Sequence, residues 1–238
     1  MISTKKRMLV IAPVLAQSTD IKAIANSLAF LAGEYELDYI DPLSQYRDAS
    51  PAEFYLQWQK KLSEAINSYE VFLGFSFGGV ILQQCFPIFA SAQKTIMLFS
   101  TPSFADETLV QKLGEVIRLC KENQVQAALL QLHHYVACKP GPANFKLDDS
   151  SAAARRLILG LERVLSSDSR AILHTTEVRY WHFIGAQSNL VNLQNVVVAK
   201  RGRLCVIPNA GMRVLQDNPQ HCQALIWQRL NGDAQDHI

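Results

Sequence analysis

Residues 71–84 read VFLGFSFGGVILQQ, and this stretch decides the fold. The residues up to position 75 are apolar or glycine, which is typical of a strand covered on both faces. The chain then reads Gly74-Phe75-Ser76-Phe77-Gly78, a G-x-S-x-G pattern, and continues as an apolar run. We predict a strand over 71–75, a sharp turn at Ser76 and a helix over 79–86.

This context gives Ser76 a chemical interpretation as a nucleophile. A serine on a strained strand-to-helix turn projects its hydroxyl above the sheet, and the flanking glycines let neighbouring backbone approach. The positive end of the following helix points at the site. The amide of Phe77 is then placed to donate to an oxyanion. The structural alternative is an ordinary glycine-rich turn with a buried serine.

Strands and helices alternate on either side of this turn. The sequence predicts strands over 8–12, 35–40, 95–100, 180–184 and 204–207, and helices over 20–33, from Ser50 onward and over 219–230. This order indicates an α/β fold with a mostly parallel, doubly wound sheet. Residues 104–169 read as helix only, over 106–122, 124–138 and 152–167. We expect a single domain over 1–238 whose helical insert forms a lid over the carboxyl ends of the strands.

Composition excludes several other classes of protein. The 238 residues carry a formal net charge of +2 with mixed signs, so no nucleic-acid footprint is expected. No apolar run is long enough for a membrane span, and the basic and apolar start of the chain favours a strand over a secretory signal. The five cysteines show no metal-ligand spacing, and we interpret them as buried thiols of a cytoplasmic protein. We expect no metal and no cofactor.

The turn and the element order together resemble the α/β-hydrolase superfamily. The size and the helical insert are most similar to single-domain carboxylesterases such as the pimeloyl-acyl-carrier-protein methyl ester esterases. The resemblance spans the whole chain, but only the serine turn is specific. It implies a serine nucleophile, an acid after the next-to-last strand and a histidine after the last strand.

The chain departs from this pattern at three positions. Residues 185–191, GAQSNLV, fall where the acid segment is expected and place Ser188 at the acid position. Residues 209–212, NAGM, fall at the histidine segment and place Met212 at the histidine position. The His-Gly segment usual after the first strand reads Ala12-Pro13. Because methionine does not titrate, an ordinary esterase cycle is not supported.

A replacement base would have to come from elsewhere in the chain. His133 and His134 lie on a predicted helix of the insert and are the candidates to reach Ser76. His182, within a strand, is interpreted as a structural histidine. Asp106 is a candidate for a relocated acid, but its position suits the first turn of a helix.

The leading hypothesis is a non-catalytic protein of this fold that binds a small apolar or acyl ligand under the lid. A related hypothesis is an interaction subunit whose insert docks a partner protein. The alternative is a divergent serine carboxylesterase or thioesterase that uses Ser76 with a relocated base. The fold does not choose among them, because function depends on the site.

Overall fold

The computed structural model describes residues 5–45, 49–139 and 141–232. Within them the strands form one six-stranded sheet with the order β2-β1-β3-β4-β5-β6, and every neighbouring pair is parallel. The strands are β1 (Lys6–Ile11), β2 (Tyr35–Ile40), β3 (Val71–Phe75), β4 (Thr95–Phe99), β5 (Tyr180–Gly185) and β6 (Gly202–Ile207). The predicted α/β class and doubly wound parallel sheet are confirmed.

Helices cover both faces of this sheet. Their bounds are α1 (Ile21–Ser27), α2 (Pro51–Ala65), α3 (Phe77–Gln84), α4 (Phe86–Phe89), α5 (Glu107–Lys121), α6 (Val125–Val136), α7 (Ser150–Leu165), α8 (Arg170–Thr175), α9 (Val214–Asp217) and α10 (Pro219–Leu230). Consecutive residues of β1 show the two-sided burial. Leu9 and Ile11 belong to the core that includes α2, α3 and α7, whereas Met8 and Val10 belong to the core that includes α1 and α10.

The strand order sets where a ligand can bind. The chain moves from β1 outward to β2 and then returns to β3 on the other side of β1, so the winding direction reverses between β1 and β3. Open parallel sheets bind ligands at such a switch point, outside the carboxyl ends of the strands. Ser76 directly follows β3 at this point, and Ala12 directly follows β1.

Two predicted helices have different bounds in the structure. The prediction of one helix over 20–33 is wrong, because α1 ends at Ser27 and a separate 3-10 turn covers Ala29–Leu31. The Ser27 hydroxyl donates to the carbonyl of Ala23 at 2.9 Å, and such side-chain bonds compete with helix propagation. The helix predicted to begin at Gly79 begins at Phe77 instead.

The cysteine interpretation is also only partly right. Cys85, Cys120 and Cys222 are buried free thiols, but Cys138 and Cys205 are partly exposed. Cys138 lies just beyond the end of α6, and Cys205 lies on β6, an edge strand with half-buried residues. Sequence spacing does not distinguish an edge strand from a central strand.

Candidate active site

The backbone at Ser76 is strained. Its φ of 47° and ψ of −108° lie where non-glycine residues are rare. The Ser76 amide donates to the Phe99 carbonyl at 2.8 Å, and its carbonyl accepts the amide of Val80 at 3.0 Å as the first bond of α3. Sheet and helix therefore hold the turn from both sides. Since Phe77 is the first residue of α3, its amide has no partner within the helix, and its role as an oxyanion donor stays a prediction.

A close approach between α3 and the end of β1 fixes this turn against the sheet. A Cβ added at Gly78 would lie 2.1 Å from the Ile11 carbonyl oxygen and 2.8 Å from that of Ala12. Only glycine permits this spacing. The second glycine of the G-x-S-x-G pattern is therefore required by packing between the helix and the first strand.

Ser76 lines a large, mainly apolar cavity of about 880 Å³. This volume lies within the usual range for ligand sites. Helices α5, α6 and α7 supply much of its wall, so residues 104–169 contribute to the enclosure of Ser76. Whether these helices open and close as a lid stays a prediction. The apolar side chains that they contribute include Leu109, Leu113, Leu129, Leu132, Leu157 and Leu161.

The residues predicted at the acid and histidine positions, Ser188 and Met212, have different surroundings. Ser188 is 9% exposed, its hydroxyl accepts the amide of Val191 at 3.2 Å, and it is absent from the cavity wall. Met212 does line the cavity. Its amide donates to the Val136 carbonyl at 3.1 Å, and its carbonyl accepts the Ser100 hydroxyl at 2.8 Å. Met212 is thus held at the site, where its side chain offers no proton acceptor of useful strength.

The candidate replacement bases also differ. His133 lines the same cavity as Ser76, whereas His134 is exposed and does not line it. Burial, and after it the positive charge of Arg213, lowers the pKa of His133. Across the described ranges no hydrogen bond reaches the Ser76 hydroxyl. His133 therefore shares the cavity with the candidate nucleophile without being hydrogen-bonded to it.

His182 has a structural setting. It is fully buried in β5, where its Nε2 accepts the amide of Thr101 at 3.1 Å. Burial lowers the pKa of His182 to about 3, so the ring is neutral at physiological pH. Its Nδ1 finds no partner in the described part of the chain. Only one of the two ring nitrogens thus has a hydrogen-bond partner there. The buried position within a strand agrees with the interpretation of His182 as a structural histidine. Asp106 caps α5 by accepting the Leu109 amide at 2.9 Å.

Sequence reasoning missed Arg213, which the structure brings into the site. Its Nη1 lies 3.5 Å from Nδ1 of His133, although the two residues are far apart in sequence. Arg213 lines the same cavity as Ser76. The available signal was its position directly after Met212, the residue predicted at the histidine position.

Solved structures of the same architecture are numerous. The chain is similar to an esterase from Exiguobacterium antarcticum, with 12% identity, a TM-score of 0.71 and coverage of 97% of this chain and 94% of that chain. An α/β hydrolase enzyme from a Medee basin deep-sea metagenome library has 10% identity, a TM-score of 0.76 and coverage of 100% and 93%. A 2-hydroxy-6-oxo-6-phenylhexa-2,4-dienoate hydrolase from Rhodococcus has 13% identity, a TM-score of 0.69 and coverage of 96% and 91%.

These likenesses define the class: the chain has the α/β-hydrolase fold. No protein-family model and no curated protein matches the sequence. At this level of identity the likeness concerns the fold alone.

Two further features were searched for in the described residues. None of their helices is long and apolar enough to cross a membrane. In the same ranges, no group of three or more His, Cys, Asp and Glu side chains has the arrangement of a metal site.

Proposed function

We propose that the cavity at Ser76 binds a small apolar or acyl ligand. The observation that carries this proposal is the apolar cavity of about 880 Å³ that opens onto a strained serine turn at the switch point of the sheet. Ligand sites are typically concave, mostly apolar and equipped with a few polar groups. Ser76 and His133 are polar groups of this kind on its wall.

We further propose that the site does not run an ordinary esterase cycle. A serine hydroxyl is a weak nucleophile unless a base takes its proton. In a well-studied serine protease, loss of the histidine costs roughly a millionfold in turnover. Met212 stands at the expected position of the base, and the Ser188 hydroxyl is engaged with the Val191 amide. These features support a binding role over a catalytic one.

The alternative is a divergent serine carboxylesterase or thioesterase with His133 as the base. Three observations favour it: the strained turn is kept, His133 shares the cavity with Ser76, and solved proteins of this fold are named as esterases and hydrolases. Hydrogen bonds of catalytic groups are often long in unliganded proteins, so the missing bond does not exclude it. Arg213 argues against this alternative. A catalytic base must become an imidazolium, and the positive charge of the neighbouring guanidinium disfavours that protonation.

Hydrolysis of p-nitrophenyl butyrate tests the two proposals. The variants are Ser76→Ala, His133→Gln and His134→Gln, the last being a matched control on the exposed neighbour of His133. The binding proposal expects no serine-dependent turnover and no fluorophosphonate labelling of folded protein. Turnover lost in Ser76→Ala and His133→Gln but kept in His134→Gln would establish the alternative instead.

Ligand binding is tested separately by calorimetric titration with octanoate and octanamide. Saturable binding of either compound supports the acyl-ligand proposal. A folded protein that binds neither would overturn it. The interaction of residues 104–169 with a partner protein remains a prediction.

A further inference from the structure

One wall of the Ser76 cavity is charged, in contrast to its apolar sides. Arg213 and His133 both line the cavity, with Nη1 of Arg213 3.5 Å from Nδ1 of His133. A guanidinium only donates hydrogen bonds, so this contact makes Nδ1 the acceptor and leaves the hydrogen of the neutral ring on Nε2. The pair therefore offers donors and no carboxylate-like acceptor.

Arg213 has no direct ion-pair partner in the described part of the chain, although the charge of Asp217 partly offsets the burial that lowers its pKa. The nearest acid in its own segment, Asp217, uses its Oδ2 to accept the Gly211 amide at 2.8 Å. The other acid of the wall, Asp20, accepts the amide of Gln17 at 3.1 Å. Among the described residues no carboxylate lies within ion-pairing distance of Arg213. The cavity therefore holds a cation without a direct ion pair beside an apolar space.

His133 supplies a second group that a ligand can use. Its Nε2 is buried and makes no hydrogen bond of standard geometry in the described part of the chain. The ring does interact with the backbone of Gly141, which favours its protonation, whereas burial, Arg213 and His134 lower its pKa. The ring is thus only weakly satisfied, so an acceptor on a ligand can form a hydrogen bond with Nε2.

We propose that the ligand of this cavity is a fatty acid whose free carboxylate binds between Arg213 and His133. This inference rests on the proposed ligand-binding function and names the head group. One carboxylate has enough acceptor sites to take hydrogen bonds from both Arg213 and Nε2 of His133, while the acyl chain lies along the leucines of α5, α6 and α7. A neutral acyl amide or ester leaves the charge of Arg213 unpaired and binds less well.

Calorimetric titration of the full chain with octanoate and with octanamide tests the head group. We expect octanoate to bind about tenfold tighter or more, because hydrogen bonds to charged groups are the stronger class. Arg213→Gln should remove most of this preference, because it weakens octanoate binding far more than octanamide binding. Arg155→Gln, at an exposed arginine outside the cavity wall, is the matched control and should keep the preference.

The possible results distinguish a failure of the carboxylate assignment from a failure of the proposed ligand-binding function. Equal affinities for octanoate and octanamide would overturn the carboxylate assignment and leave the acyl-ligand cavity standing. Binding of neither compound would overturn both. If Arg213→Gln does not fold, Arg213→Met, which also removes the charge, replaces it. A tenfold preference that persists in that folded variant would contradict the assigned pair.

Discussion

Gly78→Ala tests the packing that holds the serine turn on the sheet. The new Cβ would lie 2.1 Å from the Ile11 carbonyl oxygen, about 1.3 Å short of the 3.4 Å at which ordinary contact begins. The contacted atoms are backbone atoms at the end of β1, which do not move away as a flexible side chain can. We therefore expect a cost of about 3 kcal/mol, the upper part of the usual range for overpacking.

The assay is thermal unfolding followed by circular dichroism. For a chain of this size, 3 kcal/mol corresponds to a Tm lower by roughly 6–12 °C. Gly114→Ala is the matched control, because a Cβ at that position in α5 meets nothing within 4 Å. In a helix interior alanine is favoured over glycine by about 0.5–1 kcal/mol, so this control should melt roughly 1–4 °C higher.

The two variants are thus expected to shift Tm in opposite directions. A Gly78→Ala protein that melts within about 1 °C of the wild type would refute the close approach of α3 to β1. It would also remove the packing reason for the second glycine of the motif.

Three further predictions concern buried charge, titration and strain. Arg156 forms an ion pair with the buried Asp41 at 2.8 Å. Arg156→Met should therefore lower the free energy of unfolding by about 3–5 kcal/mol, because it leaves a buried charge unpaired. A loss below about 1 kcal/mol in urea titration would contradict this. His182 has a pKa of about 3 in the folded protein, so as the pH falls the unfolded chain binds this proton first. The free energy of unfolding should therefore fall by up to about 1.4 kcal/mol per pH unit below about pH 6.5. His182→Gln, which keeps an acceptor for the Thr101 amide, should flatten this slope in urea titrations between about pH 7 and pH 4.5, and an unchanged slope would disprove the assignment. Ser76→Gly should raise Tm by roughly 2–4 °C by relieving the strained φ of 47°, whereas a lower Tm would show that the turn stores no strain.

Local patterns predicted the elements whose causes are local. The Ser50-Pro51-Ala52-Glu53 signal gives α2 its observed start, with the Ser50 side chain accepting the Glu53 amide and Glu53 bonding back to Ser50. The strand before Ser76 has the predicted bounds as well. The predicted helix over 20–33 failed, because a competing side-chain bond at Ser27 is not visible in apolar periodicity.

Only part of the candidate site could be predicted from the sequence. Ser76, Ser188 and Met212 are predicted through motif spacing, since each lies at a short offset from a strand end. The pairing of Arg213 with His133 joins the end of the sheet to a helix of the insert, and no spacing rule relates two such segments. Spacing also does not distinguish His133 from His134. His133 lines the cavity and His134 is exposed, because α6 packs with only one of the two side chains toward the cavity.

The sequence by itself determined the alternation of strands and helices and the serine turn, because these depend on neighbouring residues and on one motif. The altered triad at Ser188 and Met212 stays a prediction. Only the tertiary structure decided which distant side chains share the cavity: Ser76 with Met212, and Arg213 with His133. The physical reason is that a parallel sheet brings the carboxyl ends of its strands to one edge, and the packing of α5, α6 and α7 over that edge then selects which side chains meet.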